Sequence, residues 1–153
     1  MKRALETLRI VVISIEAFWL VLMTYLFLHH GSLLAWLGEN LLKHNDVTQW
    51  MPIVPFSLGG SSVWLSFKLL SPKDGSNRSL YDWPDYWRLE YRRNIGIVWC
   101  GVACLLVLIP WIFREALGNQ WVGGLFLASI GIALISSASL LFAAFVLKQI
   151  VEE

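Results

Sequence analysis

The residue with the clearest capacity for chemistry is Glu16, an ionisable side chain inside the first long apolar segment, residues 10–28. At 1.5 Å of rise per residue, it lies roughly 9 Å from the start of that segment. A carboxylate at that depth indicates either a proton- or cation-coupled site or a polar contact that holds helices together. Lys68, near the end of a second segment, is its predicted partner if the two helices pack antiparallel. Because no second acidic residue completes a relay, we favour the structural interpretation.

The two cysteines, Cys100 and Cys104, raise the question of redox or metal chemistry. Their spacing of four points both side chains the same way along a helix, which is poor disulfide geometry. Zinc would need further nitrogen or sulfur ligands, and no matching histidine accompanies the pair. Together with Gly96 they form a row of small residues, which favours helix packing. The sequence therefore predicts no metal site and no cofactor.

A third group with functional potential lies in the polar segment before the third apolar run, where aromatic and arginine side chains follow neighbouring helical rows. Aromatic rings at headgroup depth with arginines on lipid phosphates are typical of a membrane-interface anchor. Trp, Tyr and Arg also dominate the energetic centres of protein interfaces, so docking of a protein is the alternative. The residues concerned are Trp83, Trp87, Arg88, Tyr91, Arg92 and Arg93.

Catalytic motifs are missing from the sequence. It contains no phosphate-binding loop, no Gly-rich dinucleotide turn, no HExxH and no G-x-S-x-G. No segment between the apolar runs is long enough to build a soluble pocket. We therefore expect a protein that is not an enzyme.

The elements that must position these residues are apolar helices. The chain has 153 residues, of which 57% are hydrophobic and only 15% charged. Burying so much apolar surface inside a small soluble domain is implausible, whereas a bilayer accommodates it. The net charge of +1 gives no basic field for nucleic acid, so no nucleic-acid partner is expected. The sequence predicts an all-α integral membrane protein.

Four transmembrane helices are expected, in one domain that covers residues 1–153. The predicted spans are 10–28, 51–70, 95–113 and 121–147, with an outer loop at 29–50 and a cytoplasmic loop at 71–94. The outer loop contains a short helix predicted to lie on the membrane surface. The second half of the cytoplasmic loop is predicted to extend the third helix.

The orientation follows from Lys and Arg. With the N-terminus inside, ten of these residues are cytoplasmic or at that interface, and two are outside. Such a bias predicts that both termini are cytoplasmic, and an odd number of spans would destroy it. We expect the bacterial inner membrane as the location.

The fourth segment carries small residues at helical spacing, which allow another helix to approach closely. The face comprises Gly124, Ala128, Gly131 and Ala138. It packs either within the chain or against a partner. The leading hypothesis is a non-catalytic accessory or scaffold subunit of a larger membrane assembly of secretion, transfer or respiratory type, or an immunity or exclusion protein. Its partners would be the bilayer and a membrane protein or further copies of itself. The alternative is a small proton- or cation-coupled transporter or channel that oligomerises around Glu16.

Overall fold

The computed structural model describes residues 14–43, 49–70 and 86–152, and these form five α-helices without a strand. The helices are α1 (Ile15–His29), α2 (Gly31–Lys43), α3 (Ile53–Leu70), α4 (Tyr86–Ile112) and α5 (Asn119–Glu152). The all-helical class expected from the sequence is confirmed for the described ranges. The predicted stretches 10–13, 44–48 and 71–85 lie outside them.

Two of these helices are long and apolar enough to cross a membrane, namely α4 over Glu90–Ile112 and α5 over Asn119–Phe142. Helices α1 and α2 meet the same criterion only as a pair, and they are bent by 97° relative to each other. The described residues therefore supply two spans, or three if the bent pair counts as one. Helix α3 coincides with the second predicted span, and the full count of four stays a prediction.

The longest helix, α5, lies at the centre of the fold and contacts each of the other four helices. Its contact with α4 is built around small and branched side chains: Ala103 of α4 and Ile132 and Ala133 of α5 are fully buried. Ser129 adds a hydrogen bond, its hydroxyl donating to the Ala103 carbonyl at 2.8 Å. Small side chains allow this close approach, and hydroxyls that donate to a neighbouring helix strengthen packing where the surroundings are apolar.

Helix α2 crosses the N-terminal end of α5 almost in backbone contact. A Cβ atom at Gly123 would collide with the Leu34 carbonyl, and one at Gly38 would collide with the Asn119 carbonyl. Leu34 is fully buried at this crossing, whereas Trp36 on the same helix is exposed. The helix expected to lie on the membrane surface thus buries one face against α5.

Helix α4 runs without interruption from Tyr86 to Ile112, so the Arg- and aromatic-rich segment and the apolar segment form one rod. Pro110 lies within its last turn. A short turn follows, in which the amides of Ala116 and Leu117 donate to the Phe113 carbonyl at 3.0 Å. Because the connecting turn is short, α4 and α5 are antiparallel neighbours. The start of α4 therefore lies beside the C-terminal half of α5.

Candidate functional site

The first turn of α1 carries a buried acid. Ser14 caps the helix, its hydroxyl accepting a hydrogen bond from the Ala17 amide at 3.2 Å. Glu16 follows in that first turn with none of its surface exposed. The unsatisfied amides of a helix N-terminus carry partial positive charge, so a carboxylate is favoured at this position. The local sequence therefore both starts the helix and stabilises the acid that it carries.

Glu16 contacts residues of two other helices. Its Oε1 lies 3.4 Å from Nη2 of Arg92 on α4 and 3.4 Å from the donating hydroxyl of Ser136 on α5. Arg92 in turn donates to the Ser139 hydroxyl oxygen, from Nε at 2.9 Å and from Nη2 at 2.6 Å. We call Glu16, Arg92, Ser136 and Ser139 the Glu16 site. It joins α1, α4 and α5 at one end of the bundle.

The two charged side chains of the Glu16 site differ in their exposure to solvent. Glu16 is fully buried, while the Arg92 side chain is 30% exposed, so the guanidinium is still partly hydrated. Taking a carboxylate out of water is costly unless an opposite charge and hydrogen bonds compensate for it. Here the compensation comes from one arginine and one serine. The second carboxylate oxygen, Glu16 Oε2, has no hydrogen-bond partner among the described residues.

Three more buried polar atoms without a described partner belong to aromatic residues at this end of the bundle: Trp19 Nε1, Tyr91 Oη and Trp99 Nε1. Trp19 and Tyr91 pack against a group of buried residues that we call the core cluster, which consists of Ile95, Trp99 and Ala103 of α4 and Ile132 and Ala133 of α5. Three hydrogen-bond donors in or beside this cluster therefore have no acceptor among the described residues.

The structure separates the residues that were predicted to form a lipid or partner docking surface. Arg92 points into the Glu16 site and Tyr91 is half-buried. Trp87 is exposed, and its side chain nevertheless interacts with another group of the protein. Arg93 lies 3.4 Å from Glu90, donates to Asn94 at 3.2 Å and stacks over the Phe67 ring. Trp83 and the Arg88 side chain lie outside the described part.

Arg92 is a partner of Glu16 that was not predicted from the sequence. The predicted partner, Lys68, belongs to α3, but its side chain is outside the described part, so that contact stays a prediction. Cys100 and Cys104 are both free thiols. Cys100 is buried, and its Cβ would lie 3.4 Å from a Cβ built on Gly59, so it packs α4 against α3. Across the described residues, no three His, Cys, Asp or Glu side chains group in a way that could hold a metal ion.

The small-residue face of α5 is buried over most of its length. Gly131 receives the indole ring of Trp19, Gly124 faces Phe27 and Leu34, and Ala128 is buried. Ala138 is exposed, so the contacts of this face within the chain end before it. Gly96 on α4 meets Leu140 in the same manner, at 3.0 Å from a built Cβ. These small residues are therefore used for packing within the chain.

An apolar cavity of about 270 Å³ opens at the other end of α1, between α1, α4 and α5. Its walls include Leu20, Met23, Leu106 and Trp121, and the Trp121 ring lies 4.4 Å from that of Phe27. The cavity offers little polar surface, so it fits a hydrocarbon chain rather than a charged ligand.

A scan against protein-family models, a search of curated proteins and a search of solved structures each found no match to this chain. Sequence reasoning identified Glu16 but missed Ser136 and Ser139. Both hydroxyls stand on the face of α5 that carries the helix contacts, and serine in an apolar helix is the signal that could have indicated them.

Proposed function

We propose that this chain is a multi-pass protein of the bacterial inner membrane that acts without catalysis, as an accessory or partner-binding subunit of a larger membrane assembly. The observation that carries the proposal is the pairing of Glu16 with Arg92. A carboxylate that is compensated by a fixed arginine and a serine from two other helices serves to hold those helices in register. The assembly would be of secretion, transfer or respiratory type, or the chain would be an immunity or exclusion protein.

The proposed orientation, with both termini cytoplasmic, is supported by the ten-to-two distribution of Lys and Arg. In that orientation the Glu16 site faces the cytoplasm, because α4 begins at that end. The partly exposed guanidinium of Arg92 then reaches the headgroup region, where a partly hydrated charge is tolerated.

The surface proposed for the partner is where α3 and α4 meet. Gly60 and Gly101 are both exposed, and a Cβ built at either position meets nothing within 4 Å. Exposed Ser61 lies next to Gly60. A helix from another protein could approach this surface closely, since glycine and serine leave the backbone accessible. The buried glycines of α5 are already occupied by side chains of the same chain.

Purification in mild detergent followed by native mass spectrometry tests this function. We expect a stoichiometric second protein that is lost on Gly101→Leu, while the protein level stays normal. Val21→Leu is the matched control, because Val21 is 66% exposed on α1, away from the proposed surface. Recovery of the chain as a homo-oligomer alone, or equal recovery of a partner with both variants, would contradict this proposal.

A second function is favoured by one observation, the fully buried Glu16 Oε2 without a described partner. Such an oxygen is able to bind a proton or a cation, so the alternative is a small coupled transporter or channel built as an oligomer. Reconstitution into vesicles that contain a pH-sensitive dye separates the two functions. Proton flux that is lost in a folded Glu16→Gln variant would establish the transporter.

A further inference from the structure

Four buried polar atoms at one end of the bundle point to a ligand that supplies both donors and acceptors. They are Glu16 Oε2, Trp19 Nε1, Tyr91 Oη and Trp99 Nε1, and none has a hydrogen-bond partner among the described residues. The two indole N–H groups can only donate, the phenol can donate or accept, and the carboxylate oxygen accepts. Buried polar groups in folded proteins are nearly always paired with protein or with ordered water.

The four side chains belong to α1 and α4 and lie around one core cluster or beside it. Glu16 and Trp19 are three residues apart on α1 and so lie on the same face of that helix. Trp99 is a buried member of the core cluster, and Trp19 and Tyr91 pack against that cluster. The unpartnered atoms therefore lie in the Glu16 site and around the core cluster, and the α1 face that carries Glu16 and Trp19 connects the two.

We propose that this end of the bundle binds internal water molecules, which accept hydrogen bonds from Trp19 and Trp99 and donate to Glu16 Oε2. Water is small enough for a packed cluster, and it can accept from an indole while it donates to a carboxylate. The entry is at Arg92, whose side chain is 30% exposed beside the fully buried acid. This proposal does not depend on the identity of any protein partner.

The polar head of a membrane amphiphile is the competing occupant. The cavity of about 270 Å³ is the space available for a hydrocarbon tail. Two residues of its wall, Leu20 and Leu106, also pack against the core cluster. However, neither Trp19 nor Trp99 is among the residues that line it. A tail in that cavity would therefore not bring its head to the indole N–H groups, which favours water.

Hydroxyl-radical labelling by a brief X-ray pulse, read by mass spectrometry, tests the proposal in lipid nanodiscs. Radicals form from water, so a buried side chain next to bound water is oxidised and a dry one is not. We expect Trp99 to be labelled several-fold faster than Met23 and Met51, which are buried to a similar extent but lie in apolar clusters. Equal and slow labelling of Trp99 and the two methionines would overturn the proposal. A stoichiometric organic molecule that is lost on Trp19→Phe would overturn it too.

Tyr91→Phe gives an independent test, because it removes one oxygen and preserves the ring. If Tyr91 Oη binds water, the variant loses a hydrogen bond and its thermal unfolding midpoint falls. If the oxygen is buried dry, its removal relieves a desolvation penalty, and the midpoint rises or stays constant. Tyr25→Phe is the control. Because Tyr25 is 53% exposed, the thermal unfolding midpoint of this variant should hardly change. An unchanged or higher midpoint for Tyr91→Phe would contradict bound water at that position.

Discussion

Arg92 on α4 lies 3.4 Å from Glu16 on α1, between guanidinium Nη2 and carboxylate Oε1, and this pair links two helices that each pack mainly against α5. Ser139 of α5 accepts two hydrogen bonds from the same guanidinium, so a third helix is held with them. The carboxylate is fully buried and the arginine is not. Changes at the two positions should therefore have unequal effects.

We expect Glu16→Gln to be tolerated and Glu16→Leu to be harmful. The amide oxygen of Gln still accepts from Arg92 and Ser136, whereas Leu leaves the buried Ser136 hydroxyl without its acceptor and leaves the guanidinium with the Ser139 oxygen alone. Thermal unfolding in detergent should show a small loss for Gln and a drop of about 1–3 kcal/mol for Leu, the cost of an unsatisfied buried polar group. If the Glu16→Gln variant folds normally but no longer carries the proton flux of the unchanged protein in vesicles, Glu16 is instead proton-coupled.

Gly131→Leu should destabilise the protein strongly, because the indole of Trp19 occupies the position of any added side chain. Overpacking of this kind costs roughly 1–3 kcal/mol, and a rigid indole has little room to move. The protein level in the membrane and the unfolding midpoint report the effect. Leu127→Ile conserves volume and should change neither quantity. A normal level and a normal midpoint for Gly131→Leu would mean that Trp19 does not pack on α5.

Gly123→Ala should release α2 from α5. The built Cβ collides with the Leu34 carbonyl and lies 2.9 Å from the Gly38 amide nitrogen, and backbone atoms cannot yield as a flexible side chain does. Faster hydrogen exchange of amides in α2 would report the release. At Gly60, Ala meets nothing within 4 Å and serves as the control. If exchange in α2 is the same for both variants, the close crossing of the two helices is wrong.

Both termini should be cytoplasmic. GFP fused to the C-terminus should fluoresce, and alkaline phosphatase at the same position should be inactive, since ten of the twelve Lys and Arg residues are on the proposed cytoplasmic side. Ser76→Cys should react with a membrane-impermeant thiol reagent only after the cytoplasmic side is opened. Active phosphatase at the C-terminus would contradict the placement of both termini in the cytoplasm.

The helical class and the apolar segments could be predicted because length and hydropathy report them directly. The small residues of α5 were also recognisable as a packing face, since size alone decides how close a helix can come. What the sequence does not show is which side chain fills the space. That Trp19 faces Gly131, and that Ala138 is exposed, depends on the rotation of each helix about its axis.

Arg92 as a partner of Glu16 was not predicted, for a related reason. Lys68 was considered because antiparallel packing of the first two apolar segments would bring it near. In the structure α1 packs mainly against α5, and Arg92 of α4 reaches the acid. An arginine that precedes an apolar segment resembles an interface anchor in sequence, so its inward direction became visible only with the helix contacts.

A double-mutant cycle on Glu16 and Arg92 tests most directly whether this pair holds the bundle together. Arg92→Leu alone leaves a buried carboxylate without its counter-charge, which costs about 3–5 kcal/mol in a fully buried pair and less here, because Arg92 is partly exposed. Combining it with Glu16→Leu removes both charges, so the double variant should be more stable than Arg92→Leu, with a coupling of about 1 kcal/mol or more. Equilibrium unfolding in mixed micelles gives the four stabilities. Additive effects of the two substitutions would contradict the ion pair as the clamp of α1, α4 and α5.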